Sequence, residues 1–573
     1  MPSCASYRQA AAVRPLAAPR FSIVTPVYET PTDVLWLAIE SVLAQTFGDW
    51  ELCLVDDRSP SPLVRELLDQ CAAMDPRIRV EHRTENGGIV AASNTALAMA
   101  SGEFVALLDH DDRLHPDALA LVHEALLGDP EADYVYTDED KMTARGHHVG
   151  PFLKPDWSPE RMRTQMYTCH LSVLRRSLVE EVGGFDPDCE GAQDWDLVLK
   201  VTERARAVAH VPRVLYHWRG IEGSTAAFPE EGGGEAAKPW AFEAGARAIA
   251  AHCKRTGVQA TVERDPGDPG VYHLNPALRE EPLVSIVIPT NGQRREIRYQ
   301  QVTLAGHCVR SIVADSTYRN FEIVVVADAD TPAEALAEIE AAAGDRLRVV
   351  PYDRPFSFAE KINVGAVHSC GEHLLLLNDD IEVATPNWIE RMVMYSSLDG
   401  VGAVGGLLLL EDGRIQHAGI GFEGGLPGHP YYGYPRDVPG YANAVRIARN
   451  LLAVTGACLM TRRDLFEEVG GLSTVFPVNY NDVDYCLKQV ERGRRVVYDP
   501  DLVMTHFESS SRSSDVTEWE KAQLLRRWAG LTTSSRFGNP YLTNEIPRAA
   551  SAFLWAKRRK FRPRRRRPTA ARP

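Results

Sequence analysis

The 573-residue chain has no apolar run near the ~18–20 residues that a membrane-spanning helix needs. The best candidate, Val401–Leu410, stops at Glu411 and Asp412. Its ten cysteines include no C-x-x-C pair, which argues against structural zinc or a disulfide framework and for reduced, buried thiols. The first twenty residues scatter Arg8, Arg14 and Arg20 among short alanine-rich pieces without a continuous apolar core, so no secretory leader is expected. These absences point to a cytoplasmic protein. Basic charge is also short, with 63 Lys and Arg against 78 Asp and Glu and a net charge of −15. Ten of those basic residues crowd into 557–573, which holds no acid. Positive charge at a chain end rather than on a folded face excludes an ordinary nucleic-acid-binding domain. Such a tail either solubilises the chain or makes peripheral contact with the anionic inner face of the cell membrane. The remaining composition, 44% hydrophobic and 25% charged, is that of a globular protein long enough for several domains.

What is present is a repeat. Phe21–Pro26 returns as Val284–Pro289, and Trp50–Asp57 as Phe321–Asp328. Gly102–Asp109 returns as Gly371–Asn378, Val182–Phe185 as Val469–Leu472, and Gln193–Leu197 as Asn481–Tyr485. Order is kept while the spacing between matches grows, so the chain carries two whole domains, the second with a loop insertion expected within Gly413–Tyr441. The expected boundaries are an N-terminal extension at 1–19, a first domain at 20–225 and a bridging segment at 226–280. A second domain at 281–512 and a helix with the basic tail at 513–573 complete the chain.

Within each copy, short apolar runs alternate with helical periodicity. Residues 21–25, 50–55 and 103–108 read as buried parallel strands, and Leu35, Ile39 and Val42 mark one helix face. The fold class is therefore α/β, with two mostly parallel sheets flanked by helices. In such sheets ligands sit beyond the carboxyl ends of the strands. Tyr28-Glu29, Asp56-Asp57 and Asp109–Asp112 all fall there. Asp109 and Asp111 form a D-x-D pair that can converge on a hard divalent cation, Mg²⁺ or Mn²⁺, and leave coordination sites for phosphate oxygens.

Ser22–Tyr28, Val55–Asp57, Glu85–Gly88, Asp109–Asp111, Gly183–Phe185, Gln193–Asp196 and His217–Arg219 together resemble the inverting, GT-A-fold glycosyltransferases of family 2. The tandem arrangement resembles bacterial enzymes that build surface polysaccharide of the O-antigen or rhamnan kind. The resemblance implies a UDP-, dTDP- or GDP-sugar donor and a glycan or polyprenyl-linked acceptor. It places Pro26, Tyr28, Glu29, Asp57, Asn86 and Gly88 against the donor nucleotide, with Tyr28 stacking on the base. Asp109, Asp111 and His217 would hold metal, Arg219 would meet phosphate, and Asp194 would be the general base. In copy two it assigns Pro289, Asp328, Lys361 and Asn363 to the donor. Asn378, Asp380 and His506 would hold metal there, Asp482 would be the base, and Glu508 with Ser509–Arg512 would contact phosphate. Asn378 stands where copy one has a carboxylate, so the second copy is either an active transferase or a degenerate sugar-binding domain. Tyr136–Lys141 is either a donor or acceptor contact or a solvated loop. Lys154–Trp157 offers either a sugar-stacking face or a core tryptophan, core being the commoner role. Cys169-His170, with no partner ligands at metal spacing, is assigned to the core. A sugar nucleotidyltransferase is disfavoured because the turn Pro26–Pro31 is acidic and lacks glycine. A non-catalytic scaffold is the remaining alternative.

Overall fold

The computed structural model describes residues 19–143, 146–220, 239–507, 516–534, 536–543 and 546–547. The extension 1–18, the Gly232–Gly234 loop, Glu508–Arg512 and the basic tail lie outside these residues. The chain divides between Glu280 and Glu281 into two units.

In the first unit the strands are β1 (Phe21–Val27), β2 (Trp50–Asp56), β3 (Ile78–His82), β4 (Phe104–Leu107), β5 (Arg113–Leu114), β6 (Ala132–Met142), β7 (His148–Phe152), β8 (Ser172–Arg175), β9 (Ala207–Arg219), β10 (Ala260–Arg264) and β11 (Tyr272–Pro276). The helices are α1 (Thr32–Leu43), α2 (Pro62–Met74), α3 (Gly88–Met99), α4 (Ala118–Gly128), α5 (Pro159–Met162), α6 (Arg176–Glu181), α7 (Gln193–Thr202) and α8 (Pro239–Thr256). The main sheet runs β3-β2-β1-β4-β8-β6-β9-β5, with β7 paired to β6. β1, β2, β3 and β4 are mutually parallel, whereas β8 runs antiparallel between β4 and β6. β1 and β2 carry apolar residues at consecutive positions because helices cover both faces of the sheet.

The second unit repeats this plan with β12 (Val284–Thr290), β13 (Arg294–Ile297), β14 (Gln300–Thr303), β15 (Phe321–Asp328), β16 (Leu347–Tyr352), β17 (His373–Leu377), β18 (Ile381–Val383), β19 (Val401–Leu409), β20 (Ile415–His417), β21 (Gly421–Glu423), β22 (Leu426–Gly428), β23 (Arg449–Leu451), β24 (Cys458–Arg462) and β25 (Arg495–His506). Its helices are α9 (Leu304–Asp315), α10 (Ala333–Ala343), α11 (Phe358–Val367), α12 (Trp388–Ser396), α13 (Arg463–Glu468), α14 (Asn481–Glu491) and α15 (Glu518–Thr532). The order β16-β15-β12-β17-β24-β19-β25-β18 matches the first sheet position for position. The extra residues of this copy fall between β19 and β24 and form β20 to β23.

Two segments outside the main sheets pack on their own units. The described part of the bridging segment 226–280 lies on the first unit. Trp195 of α7 meets Tyr272 edge to face at 5.2 Å, and His252 and Arg255 of α8 bond Glu203. Likewise α15 packs into the second unit, with Leu524 and Trp528 buried and the Trp528 indole N–H donating to Asp484 Oδ1 at 2.8 Å. A capping box of Thr517 and Glu520 starts this helix. No helix among the described residues is long and apolar enough to cross a membrane.

Candidate active sites at the carboxyl ends of the parallel strands

In the first unit the chain leaves β1 through Pro26 and Val27. It then turns so that Tyr28 is 43% exposed and Glu29, at φ 52°, donates its backbone N–H to Ser59 Oγ at 3.0 Å. Beyond β2, the buried Asp57 carboxylate accepts the N–H groups of Gly87 (3.0 Å) and Gly88 (2.8 Å) and pairs with Arg83 Nε at 2.8 Å. Asn86 Nδ2 donates to the Asp57 carbonyl at 3.1 Å. Asp57, Asn86 and Gly88 are thus one structure, in which the carboxylate anchors the turn that opens α3. Its oxygens are engaged by protein donors, so the expected bond to a base would share them.

Beyond β4 the acids separate by role. Asp112 is buried and accepts the Tyr216 hydroxyl (2.6 Å) and the Arg219 backbone N–H (2.7 Å), which fixes the end of β9. Burial pushes the Asp111 carboxyl up, partly offset by His110, and Asp109 raises it further. Burial also pushes Asp194 up, His170 offsets part of this, and Asp109 again adds to it. Asp109 thus adds to the upward push on both Asp111 and Asp194. Asp194 sits in the first turn of α7, its Oδ1 accepting the Trp195 N–H at 2.9 Å. Arg219 Nε donates to the Asp111 carbonyl at 2.8 Å.

Two histidines exchange their expected places. His217 is not grouped with Asp109 and Asp111; its Nδ1 lies 2.8 Å from Asp140 Oδ1, which also faces His148. The reason is register, since His217 sits directly opposite Asp140 on the parallel pair of β6 and β9. His170, assigned to the core, lies instead with its Nε2 3.7 Å from Asp109 Oδ2 and its ring stacked on Tyr216 at 4.5 Å. Ligand atoms of Asp109, Asp112 and His170 all fall within 4.8 Å of one another. A buried bond network holds His170 there. Its backbone N–H donates to Glu139 Oε2 at 3.0 Å, and the wholly buried Lys154 Nζ donates to the same oxygen at 2.9 Å and to the carbonyls of Thr168 and His170. Glu139 and Lys154 belong to the runs Tyr136–Lys141 and Lys154–Trp157, but only tertiary structure joins them. Trp157 packs against Tyr134 and Tyr167 at 6.3 Å rather than standing as an open platform.

In the second unit a cleft of about 510 Å³ is lined by Pro289, Asn378, Asp380, Asp482 and His506. Asp380 Oδ1 lies 3.1 Å from His506 Nε2, and Asn378 Nδ2 lies 3.5 Å from the same nitrogen. Burial disfavours the Asp380 charge, but His506 together with hydrogen bonds from the backbone and Asn378 brings the net direction down. Asp379 turns the other way, accepting Thr290 Oγ1 at 2.6 Å, and burial with the Asp380 charge pushes it up to about 7. Asp482 accepts the N–H groups of Gly456 (2.7 Å) and Val483 (2.8 Å). His506 pairs opposite Ile381, whereas His217 pairs opposite Arg113. Taking Asp112 with Ile381, as the Asp109/Asn378 match requires, puts His506 one residue further along its strand than His217, in the place of Trp218.

Lys361 is wholly buried; its Nζ donates to the Thr290 carbonyl at 2.8 Å and pairs with Asp328 Oδ1 at 2.7 Å. It ties together the ends of β12 and β15. Asn363 was expected to line the donor pocket, and this is corrected. Its Nδ2 donates to the Leu472 carbonyl at 2.8 Å and its Oδ1 accepts the Leu472 N–H at 2.9 Å. Asn94 does the same to Phe185 in the first unit, at 2.9 and 3.0 Å. The amide is a clasp on the Gly-Gly loop. His429, which sequence reasoning missed, also lines the cleft, and its Nδ1 lies 3.0 Å from Nδ1 of the buried His417. It comes from the insertion, which has no counterpart in copy one to draw attention to it.

Residues 22–183 match the model of Glycosyl transferase family 2, and residues 282–530 match that of Glycosyltransferase like family 2. The chain is 39% identical over 541 residues to protein y4gI of Sinorhizobium fredii, spanning 92% of this chain and 58% of that protein. It is 36% identical over 549 residues to the O-antigen biosynthesis protein RfbC of Myxococcus xanthus, spanning 95% of this chain and 42% of that protein. Against the putative teichuronic acid biosynthesis glycosyltransferase TuaG of Bacillus subtilis it is 40% identical over 210 residues, 36% of this chain and 81% of that protein. The chain thus spans about half the length of the first two relatives and most of the third. With two family models matched in order on two sheets of identical strand order, the chain belongs to the family 2 glycosyltransferases, as a tandem of two GT-A-type domains.

Proposed function

We propose that both units transfer a sugar, with inversion, from a nucleotide-diphosphate donor to a hydroxyl of a growing surface polysaccharide or lipid-linked glycan. The supporting observation is the cleft of the second unit, which Asp380 and Asp482 both line; in the first unit Asp109 bears on both Asp111 and Asp194. The names of the O-antigen and teichuronic acid relatives support the substrate class.

The residues present fit a divalent cation. Asp109 and Asp111 repel each other in a partly desolvated site, and a cation would relieve that repulsion. Asp380 and His506 offer a carboxylate and an imidazole in the second unit, and Asn378, whose Nδ2 faces His506, would offer its amide oxygen only with the side chain turned. When bound, the metal stabilises the negative charge of the departing diphosphate. The chain's own work is the other half of the reaction. Asp194 or Asp482 takes the proton of the acceptor hydroxyl as its oxygen bonds to the anomeric carbon. The bond from that carbon to the diphosphate breaks, and the leaving group keeps the electron pair. A single displacement inverts the centre. Burial raises the basicity of Asp194 toward the working pH, which favours proton acceptance. Tyr28, Glu29 and the turn at Asn86–Gly88 suit the nucleotide by position, Pro289 and Asp328 likewise in the second unit. The basic run 557–573 supports peripheral contact with anionic lipid.

The test is transfer of labelled sugar, across UDP-, dTDP- and GDP-donors, by Asp194→Asn, Asp482→Asn and the double variant. Each single change is expected to lower its own step about 10²–10⁴-fold. Full turnover in the double variant would remove the assignment of both bases. The second unit, with Asn378 for a carboxylate, also admits a binding-only reading, and loss of product in Asp194→Asn alone would favour it.

A further inference from the structure

We propose that Asp140, His148 and His217 form a second cation site in the first unit, separate from the D-x-D carboxylates and suited to a borderline transition-metal ion of the Zn²⁺ class. The three side chains come from three strands. β7 pairs with β6 so that His148 stands opposite Met142, and β9 pairs with β6 so that His217 stands opposite Asp140. Ligand atoms of all three residues lie within 4.8 Å of one another. Both imidazoles turn Nδ1 to the same carboxylate, His217 at 2.8 Å from Oδ1 and His148 at 3.1 Å from Oδ2. Their rings meet edge to face at 4.3 Å. His115 is near, its ring 6.2 Å from His217, but its Nδ1 already accepts the Asp117 N–H, so it is not counted.

Chemistry separates this site from the first. Two imidazoles and one carboxylate favour Zn²⁺, Co²⁺ or Ni²⁺, whereas the Asp109 group sets a single imidazole, His170, among several carboxylates and leans toward Mg²⁺ or Mn²⁺. Three protein ligands are the number that leaves a zinc coordination position open. Asp140 is nearly buried while His148 is half exposed, so an ion reaches the site from solvent through the β7 side. An ion there would staple the β6–β7 hairpin to β9, the strand whose end carries Arg219 to Asp111.

The experiment uses the full-length protein, stripped with chelator and dialysed against Zn²⁺ in a large excess of Mg²⁺, with bound zinc counted by mass spectrometry. Co²⁺ absorption reports the ligand set. One equivalent of zinc is expected in the wild type and in Asp109→Asn/Asp111→Asn. His148→Gln, a change at a half-exposed position, should weaken binding at least ~10-fold, since even outer-shell partners are worth that much. His148→Gln/His217→Gln should abolish it. Retention of that equivalent by the double histidine variant, its loss in the Asp109/Asp111 variant, or a wild type that takes up no zinc would each overturn the proposal and leave a hydrogen-bonded network only.

Discussion

Replacing Asn363 with alanine distinguishes a clasp from a donor-binding residue. The change removes both bonds to Leu472, whose side chain is 2% exposed, and leaves a backbone N–H and a carbonyl without their partner. Each such orphan costs about 1–3 kcal/mol, so the loss is about 2–6 kcal/mol in the second unit, or roughly 4–12 °C of melting temperature at about 2 °C per kcal/mol for a domain of this size. Asn363→Asp keeps an acceptor for the Leu472 N–H but sets an oxygen against the Leu472 carbonyl, and it should be no milder. Asn94→Ala should act equally on the first unit through Phe185. Gly471→Ala attacks the same clasp from the other side. Gly471 has φ +65°, and a Cβ there would stand 2.5 Å from Asn363 Oδ1. Unfolding of the full chain in urea, read with donor affinity by calorimetry, decides the matter. Weaker donor binding with stability unchanged within about 0.5 kcal/mol would refute the clasp and restore Asn363 to the donor pocket.

Three further outcomes are expected. Burial holds the His373 imidazole down at about 4 against its ordinary 6.5, so its neutral form is the folded one. The stability it protects is present above about pH 6.5 and lost as pH falls toward 4, about 2 kcal/mol between pH 7 and 5. His373→Asn should flatten that limb in pH-dependent melts. Lys154→Met strips the buried Glu139 of its ammonium partner and loosens His170; kcat should fall with KM little changed, and an unaltered kcat in a folded protein would detach this network from the site. Trp528→Phe keeps the packing of α15 but removes the N–H to buried Asp484, which should cost about 1–3 kcal/mol by thermal melt.

The sheets and the placement of acids were legible because the information is local: apolar runs such as 21–25 and 103–108 mark buried strands, and the residues just after each run lie at its carboxyl end. The duplication was legible because both copies kept that local text. The features that escaped depend on partners distant in sequence. Asn363 and Leu472 are 109 residues apart, and nothing near either tells an amide that clasps a loop from one that meets a ligand. His506 and His217 look equivalent in their surroundings, yet strand pairing offsets them by one residue, and in a pleated strand one residue reverses the face. His170 read as core because no partner ligand stands at metal spacing near it, while Tyr216 and Asp109, which define its setting, lie far from it along the chain.

The hairpin of β21 and β22 contributes Pro427 and Gly428 to the cleft wall, and behind it stands α15, where a Cβ on Gly425 would meet Leu525 Cδ2 at 2.8 Å. Anyone trimming this protein for crystals or screening would be drawn to stop after His506, where the last sheet strand is complete. That cut would remove Leu524 and Trp528 with the rest of α15, deprive Asp484 of its indole partner and take away the buttress of the cleft wall. The shortest useful version of the second unit therefore extends through Thr532.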